Sequence, residues 1–175
     1  MQEIILIGGG GHCKSVIDVI EQENKFKIAG IIDKKELIGK DVLGYKVIGC
    51  DDDLDELFNR YKNAIVTIGQ IKSPSIRMKL YKRLKNIGYK LPNIISPFSY
   101  VSKHSFIGEG TVIMHHALIN ACAKIGKNCI VNTKSLIEHD CLIESHCHIS
   151  TSAVLNGGTL VKEGTFFGSN ATSKE

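Results

Sequence analysis

This chain of 175 residues has no long hydrophobic run at its N-terminus, no run of basic residues and no CxxC pair, and each absence excludes something. The N-terminal apolar run is only Ile4 to Ile7 and leads straight into glycines, too short for a signal peptide or a membrane span; a cytoplasmic protein with no membrane span is expected. The formal charge of +4 comes from scattered lysines such as Lys25, Lys27, Lys34, Lys35, Lys82 and Lys85, so nucleic acid is not an expected partner. Without a CxxC pair the six cysteines read as free thiols, not as a metal or disulfide framework.

What the chain does have is a six-residue period. An aliphatic or aromatic residue stands at Val101, Ile107, Ile113, Ile119, Ile125, Val131, Ile137, Ile143, Ile149, Leu155, Val161 and Phe167. Two places before each from Ile107 onward stands a small residue, among them Thr111, Ala117, Ala123, Cys129, Ser135, Cys141 and Cys147. A period of six fits neither a helical stripe nor strand alternation, but it is the signature of a parallel β-helix. The bulky series should fill a shared interior and the small series its corners. Twelve positions make four coils of three hexads, so residues eighteen apart should stack about 4.8 Å apart. That places His139 one coil below Gly157, with Glu138 between Asn120 and Asn156.

Upstream, residues 2 to 7 read as a buried strand, Gly8 to Gly11 as a tight turn, and His12 to about Glu23 as a helix with Val16, Ile17, Val19 and Ile20 inward. Ile28 to Ile32 is a second strand ending at Asp33. Strand, glycine turn, helix, strand and acid make a βαβ unit of nucleotide-binding type, although Cys13 stands where GxGxxG has its last glycine. A strand at Tyr45 to Ile48, a helix from Asp51 to Tyr61, a strand from Ala64 to Ile68 and a helix from Ser73-Pro74 through Leu84 follow, the last with Ile76, Leu80 and Leu84 on one face. A strand near Lys90 to Ile95 leads out. Residues 1–95 are thus expected to form a Rossmann-like α/β domain and residues 96–175 a β-helix domain.

With the repeat interior filled, chemistry must use outward positions. In Asn132-Thr133-Lys134-Ser135-Leu136-Ile137-Glu138-His139-Asp140, His139 lies between two carboxylates. An adjoining carboxylate orients an imidazole and raises its basicity, as a general base requires; a solvated surface histidine is the alternative. Cys141 belongs to the small series and reads as a packed thiol, not a nucleophile.

The GGGGH turn, the Ile119-Asn120-Ala121 coil, the NTxSxIEHD stretch and the downstream Asn156-Gly157-Gly158 together resemble the bacterial sialic-acid O-acetyltransferase (NeuD-like) and nucleotide-amino-sugar N-acetyltransferase (PglD-like) family, over the whole chain. The resemblance implies a Rossmann-like domain for a nucleotide sugar, followed by a left-handed parallel β-helix that forms a homotrimer and binds acetyl-CoA between neighbouring subunits, in surface-glycan biosynthesis. It implies His139 as general base, Asp140 as the acid that raises its basicity, and Asn132 beside the acceptor sugar. His148 and Gly157 match acetyl-CoA contacts; Gly10, Gly11 and His12 match the acceptor-binding turn, and Asp33 and Gly69 match further nucleotide-sugar contacts. No metal is implied. Lys34 departs from family members that carry a second acid after Asp33, and the stop at Glu175, where the family typically continues, implies a shortened coenzyme platform.

Two other readings fit parts of the sequence. His115, His116, His139, His146 and His148, all on outward parts of the coil, suit zinc in the manner of γ-class carbonic anhydrases, but those enzymes lack a nucleotide-type N-terminal domain. A sugar-nucleotide-binding or scaffold protein with a weakened acetyl-CoA site would account for an early stop.

Overall fold

The computed structural model describes residues 1–174, which fall into two compact units. The first comprises 1–69 and 76–92, the second 70–75 and 93–175.

In the first unit, β1 (Gln2–Ile7), α1 (Gly11–Glu23) and β2 (Phe26–Ile32) form the expected βαβ element. A hairpin of β3 (Asp41–Val42) and β4 (Tyr45–Gly49) follows, then α2 (Leu54–Leu57), β5 (Asn63–Val66) and α3 (Ser75–Ile87). The sheet order is β3-β4-β2-β1-β5, parallel except for the β3–β4 hairpin. Alternation along β1 sends Ile5 and Ile7 into a core with Leu54, Tyr81, Leu84 and Tyr89, and Ile4 and Leu6 to the opposite face. All four are essentially inaccessible, as are Val16, Ile17, Val19 and Ile20 of α1.

Three local expectations are corrected. The helix expected over 51–61 is a 3-10 turn at Asp51–Asp53 followed by the short α2. Asp53 accepts the Cys50 N–H at 2.8 Å, a bond that holds its carboxyl below the usual carboxylate value. On α3 the buried face is Arg77, Leu80, Tyr81 and Leu84, while Ile76 is exposed. The reason is Arg77: its guanidinium donates to the carbonyls of Val66 and Ile68 at the end of β5. A buried cation satisfied by backbone carbonyls turns the helix away from its purely aliphatic stripe. Finally, the strand expected over 90–95 is split. Lys90 makes one bridge to Asn63, and beyond Pro92 the pair Ile94–Ile95, β6, pairs in parallel with Val112–Ile113. The hexad series therefore begins one step earlier than read, at Ile95.

In the second unit every hexad contributes a two-residue strand ending on its inward residue, from Tyr100–Val101 through Phe166–Phe167. These strands stack into three parallel sheets with an unbroken register of eighteen, such as Leu118↔Leu136 and Leu136↔Val154. The inward column and the small-residue column form one core cluster. Burying each aliphatic side chain contributes roughly 1.5–3 kcal/mol. Outside the small series, consecutive coils also approach closely at two glycines that follow inward residues: a Cβ added at Gly108 would stand 2.6 Å from the carbonyl carbon of Gly126, and one added at Gly126 only 2.5 Å from the Ser145 nitrogen.

The corners follow a third hexad series. From Gly110 through His116, Cys122, Asn128, Lys134, Asp140, His146, Ser152, Gly158 and Gly164 to Asn170, every sixth residue has positive φ. From His116 onward each such N–H is thereby turned to a carbonyl of the preceding coil, as in Lys134 to His115 and Asp140 to Ala121. Left-handed backbone costs a residue with a Cβ roughly 1–2 kcal/mol, more when it is β-branched, and costs glycine almost nothing. Lys134→Val should lower the stability by about 1–2 kcal/mol and Lys134→Gly should not lower it, read as the thermal unfolding midpoint. Gly126→Val, which drives a side chain into backbone, should lower the midpoint further than either.

Candidate functional site

The glycine turn of the first unit is shaped by contacts that leave one side open. Gly8 has φ +105, and a Cβ there would stand 2.3 Å from Ile68, so only glycine fits. Thr67 donates to the Gly8 carbonyl at 2.6 Å. Asp33, at the end of β2, accepts the Gly9 N–H at 2.6 Å and the Lys34 N–H at 2.7 Å. Gly10 caps α1 with no side-chain hydrogen bond, and a Cβ added at Gly10 or Gly11 would meet nothing within 4 Å. The N-terminus of α1 thus has neither a capping side chain nor an acid in its first turn, which favours an anion. His12 lies in this turn, and Gly69 abuts it, with an added Cβ 3.6 Å from the His12 Cβ. Beside the turn is a cavity of about 400 Å³ lined by Ile7, Ile32, Asp33, Lys34, Asp51 and Ile68, among others. It opens beyond the carboxyl ends of β1 and β2, where parallel sheets of this kind hold ligands.

In the second unit the coil brings together His139, Asp140 and Gly157. His139 Nδ1 and Asp140 Oδ2 are 2.8 Å apart, both side chains exposed. Carboxylate capture of Nδ1–H leaves the lone pair on Nε2. The Cε1–Nε2 side of the His139 ring lies close to Gly157: a Cβ there would stand 2.8 Å from Cε1 and 2.9 Å from Nε2. The Gly158 N–H donates to the His139 carbonyl, fixing one coil on the other. The Gly157 N–H takes no backbone hydrogen bond among the described residues. Glu138 does not flank the imidazole as its place in the sequence suggests; its Oε2 accepts the Asn120 amide at 2.7 Å. Cys141 is buried with its thiol directed at the Asn156 carbonyl, and burial pushes it above the usual thiol value, the opposite of an activated nucleophile.

Asn132 and His148 meet at the preceding corner of the same coil, Asn132 Nδ2 donating to His148 Nε2 at 3.1 Å. Outward as a coil position, His148 is nevertheless buried, as is His146, which corrects their expected exposure. The cause is the segment 70–75, which returns to lie on the coil. Gln70 donates from Nε2 to the carbonyls of His146 and Gly164 and accepts His148 Nδ1–H on its own carbonyl. Nothing in the local sequence around Gln70 marks this, because its partners lie 76 to 94 positions away. His115 bonds Ser96 instead of converging with the other histidines. No group of three or more His, Cys, Asp or Glu side chains is arranged to hold a metal ion among the described residues.

The first unit matches the family described as PglD N-terminal domain, over residues 3–84. Among curated proteins, the UDP-N-acetylbacillosamine N-acetyltransferase of Bacillus subtilis is 34% identical over 116 residues, covering 65% of this chain and 52% of that protein. An uncharacterized protein of Acanthamoeba polyphaga mimivirus is 30% identical over 125 residues, 70% of this chain and 23% of that protein. The chain therefore spans about a quarter and about half of the length of these two relatives. Among solved structures, a perosamine N-acetyltransferase mutant of Caulobacter crescentus, in complex with CoA and GDP-perosamine, is 32% identical with TM-score 0.84, covering 91% of this chain and 74% of that one. The acetyltransferase domain of PglB from Neisseria gonorrhoeae, in complex with acetyl coenzyme A, is 31% identical with TM-score 0.92, covering 99% and 82%. With a PglD-type first unit, a β-helix of the same fold and about a third of the residues shared over most of both solved chains, this protein belongs to the PglD-like family of sugar acetyltransferases.

Proposed function

We propose that this chain transfers an acetyl group from acetyl-CoA to the amino group of a nucleotide-linked sugar in glycan biosynthesis. The observation that carries the reading is the His139–Asp140 pair with the His139 ring held against Gly157. His139 Nε2 takes the proton from the acceptor amine as its nitrogen attacks the thioester carbon. Asp140 keeps Nδ1 protonated and stabilises the imidazolium that forms. The Gly157 N–H is suited to the thioester oxygen as charge builds there, a stabilisation usually worth about 3 kcal/mol. The C–N bond forms, the C–S bond breaks, and the sulfur leaves with the electron pair and is reprotonated. No covalent enzyme intermediate is needed, in keeping with the buried Cys141 thiol.

The open N-terminus of α1, with Gly10, Gly11 and His12, is suited to the diphosphate end of a nucleotide sugar. The cavity beside Asp33 and the position of Gly69 suit the rest of that ligand, Asn132 the acceptor sugar, and His148 and Gly157 the coenzyme. The solved relatives were crystallised with such compounds: CoA and GDP-perosamine in one, acetyl coenzyme A in the other. Among the described residues no helix is long and apolar enough to cross a membrane; a cytoplasmic location is part of the proposal.

A homotrimer is part of the same proposal. Leu142 and Leu160, neighbours in one parallel sheet of the coil, are 45% and 49% exposed, an apolar pair of the kind that marks an interaction surface. The corners bearing His139 and Asn132 are successive corners of one coil, separated by the strand Leu136–Ile137, and packing around a threefold axis brings different corners of neighbouring copies together.

Purified chain given acetyl-CoA with GDP-perosamine or with UDP-linked amino sugars should release free CoA thiol, measured by a thiol-reactive dye. His139→Ala should lower kcat about 10²- to 10⁴-fold, and full activity in that variant would sink the reading. Asp140→Asn should lower kcat by at least about tenfold, whereas Cys141→Ala should leave it within about twofold. Light scattering should give three times the chain mass, and Leu142→Asp should reduce it. Sugar-nucleotide binding without acetyl-CoA binding, by calorimetry, would leave a binding protein in place of an enzyme.

A further inference from the structure

The buried His148 and its half-buried partner Asn132 carry more than the contacts assigned above. His148 has one ring nitrogen on the Gln70 carbonyl. A carbonyl only accepts, so Nδ1 carries the proton. Nε2 is then a lone pair, and it accepts the Asn132 side-chain amide at 3.1 Å. The Asn132 Oδ1 accepts the Thr133 N–H at 2.8 Å, which fixes which end of the amide is nitrogen. Phe166 packs edge-on against the imidazole at 5.2 Å between ring centroids, holding its plane. Gln70 is itself anchored through its side chain to the carbonyls of His146 and Gly164. An amide flip at Asn132 would oppose two acceptors at His148, and a tautomer change would oppose two donors. Each member of the chain therefore locks the next.

We propose that His148 is a positioning residue that, held in its Nδ1–H form by the returning segment at Gln70, presents the second N–H of the Asn132 amide to the acceptor sugar as a fixed hydrogen-bond donor. The ligand group recognised is an acceptor oxygen of the sugar, a hydroxyl or ring oxygen, with no charge. This rests on the acetyl-transfer reading for its functional consequence, whereas the tautomer stands on geometry alone. It also separates two roles that a buried histidine confuses, contact with the coenzyme and orientation of the acceptor site.

The test uses the full chain. Nitrogen-edited NMR of ¹⁵N-histidine-labelled protein near neutral pH should show His148, assigned by its loss in His148→Gln, as the neutral Nδ1–H tautomer; the Nε2–H form or an imidazolium would overturn the proposal without touching the acetyl-transfer reading. For function, two substitutions divide the ring. Gln carries an oxygen near the place of Nε2 and can still accept the Asn132 amide, while Asn reproduces only the Nδ1 donor. With acetyl-CoA and whichever of GDP-perosamine or a UDP-linked amino sugar the wild type acetylates, His148→Asn should raise the acceptor KM at least tenfold, and His148→Gln should bring it back to within about threefold of wild type. Equal loss in both variants, or a KM increase confined to acetyl-CoA, would overturn it. Should the wild type acetylate neither, the acetyl-transfer reading falls and the tautomer spectrum decides the structural part alone.

Discussion

Close vertical stacking of residues eighteen apart is the constraint from which the second unit follows. Because consecutive coils are joined by parallel ladders at two residues per side, the space between them is fixed by backbone and not by side chains. Inward positions must then be aliphatic, positions two before them must be small, and corner positions must turn left-handed so that their N–H groups reach the coil before. A helix or an open sheet distributes such demands over many geometries. Here each demand returns at every sixth residue.

The same stacking creates the geometry of the proposed catalytic site. His139 can lie close against its neighbour because the residue one coil on is Gly157, without a Cβ to fill the space. Asp140 can reach Nδ1 because the residue after His139 occupies the left-handed corner, which swings its short carboxylate back along the coil. The first unit relies on a different set of contacts: Asp33 accepts the backbone N–H groups of Gly9 and Lys34, so the acid after β2 organises the glycine turn while the first turn of α1 has no capping side chain.

Much of this was legible in the sequence because it depends on local period. The inward hexads, the small series, the βαβ start and the stacking of His139 under Gly157 each follow from counting. What was not legible depended on side chains reaching across long separations. Arg77 displaced Ile76 from the buried face of α3 because two carbonyls at the end of β5 needed its donors. His146 and His148 became buried because Gln70 returned to cover them. Glu138 turned to Asn120 and left the imidazole to Asp140 alone. The corner series from Gly110 to Asn170 was visible in principle, as a column rich in Gly, Asn, Asp and His, the residues that tolerate positive φ, but it carries Cys122, Lys134 and Ser152 as well and is masked by them.

That corner column has a consequence for how such a site arises. His116, Lys134, Asp140, His146 and Ser152 share one backbone conformation at repeating positions, so a reactive corner and an inert one differ in side chains and hardly at all in chain path. The scaffold is neutral as to which corner does chemistry. Moving a carboxylate or an imidazole into another corner requires no new loop, only a residue that accepts the left-handed turn and a neighbour one coil away small enough to let it lie down.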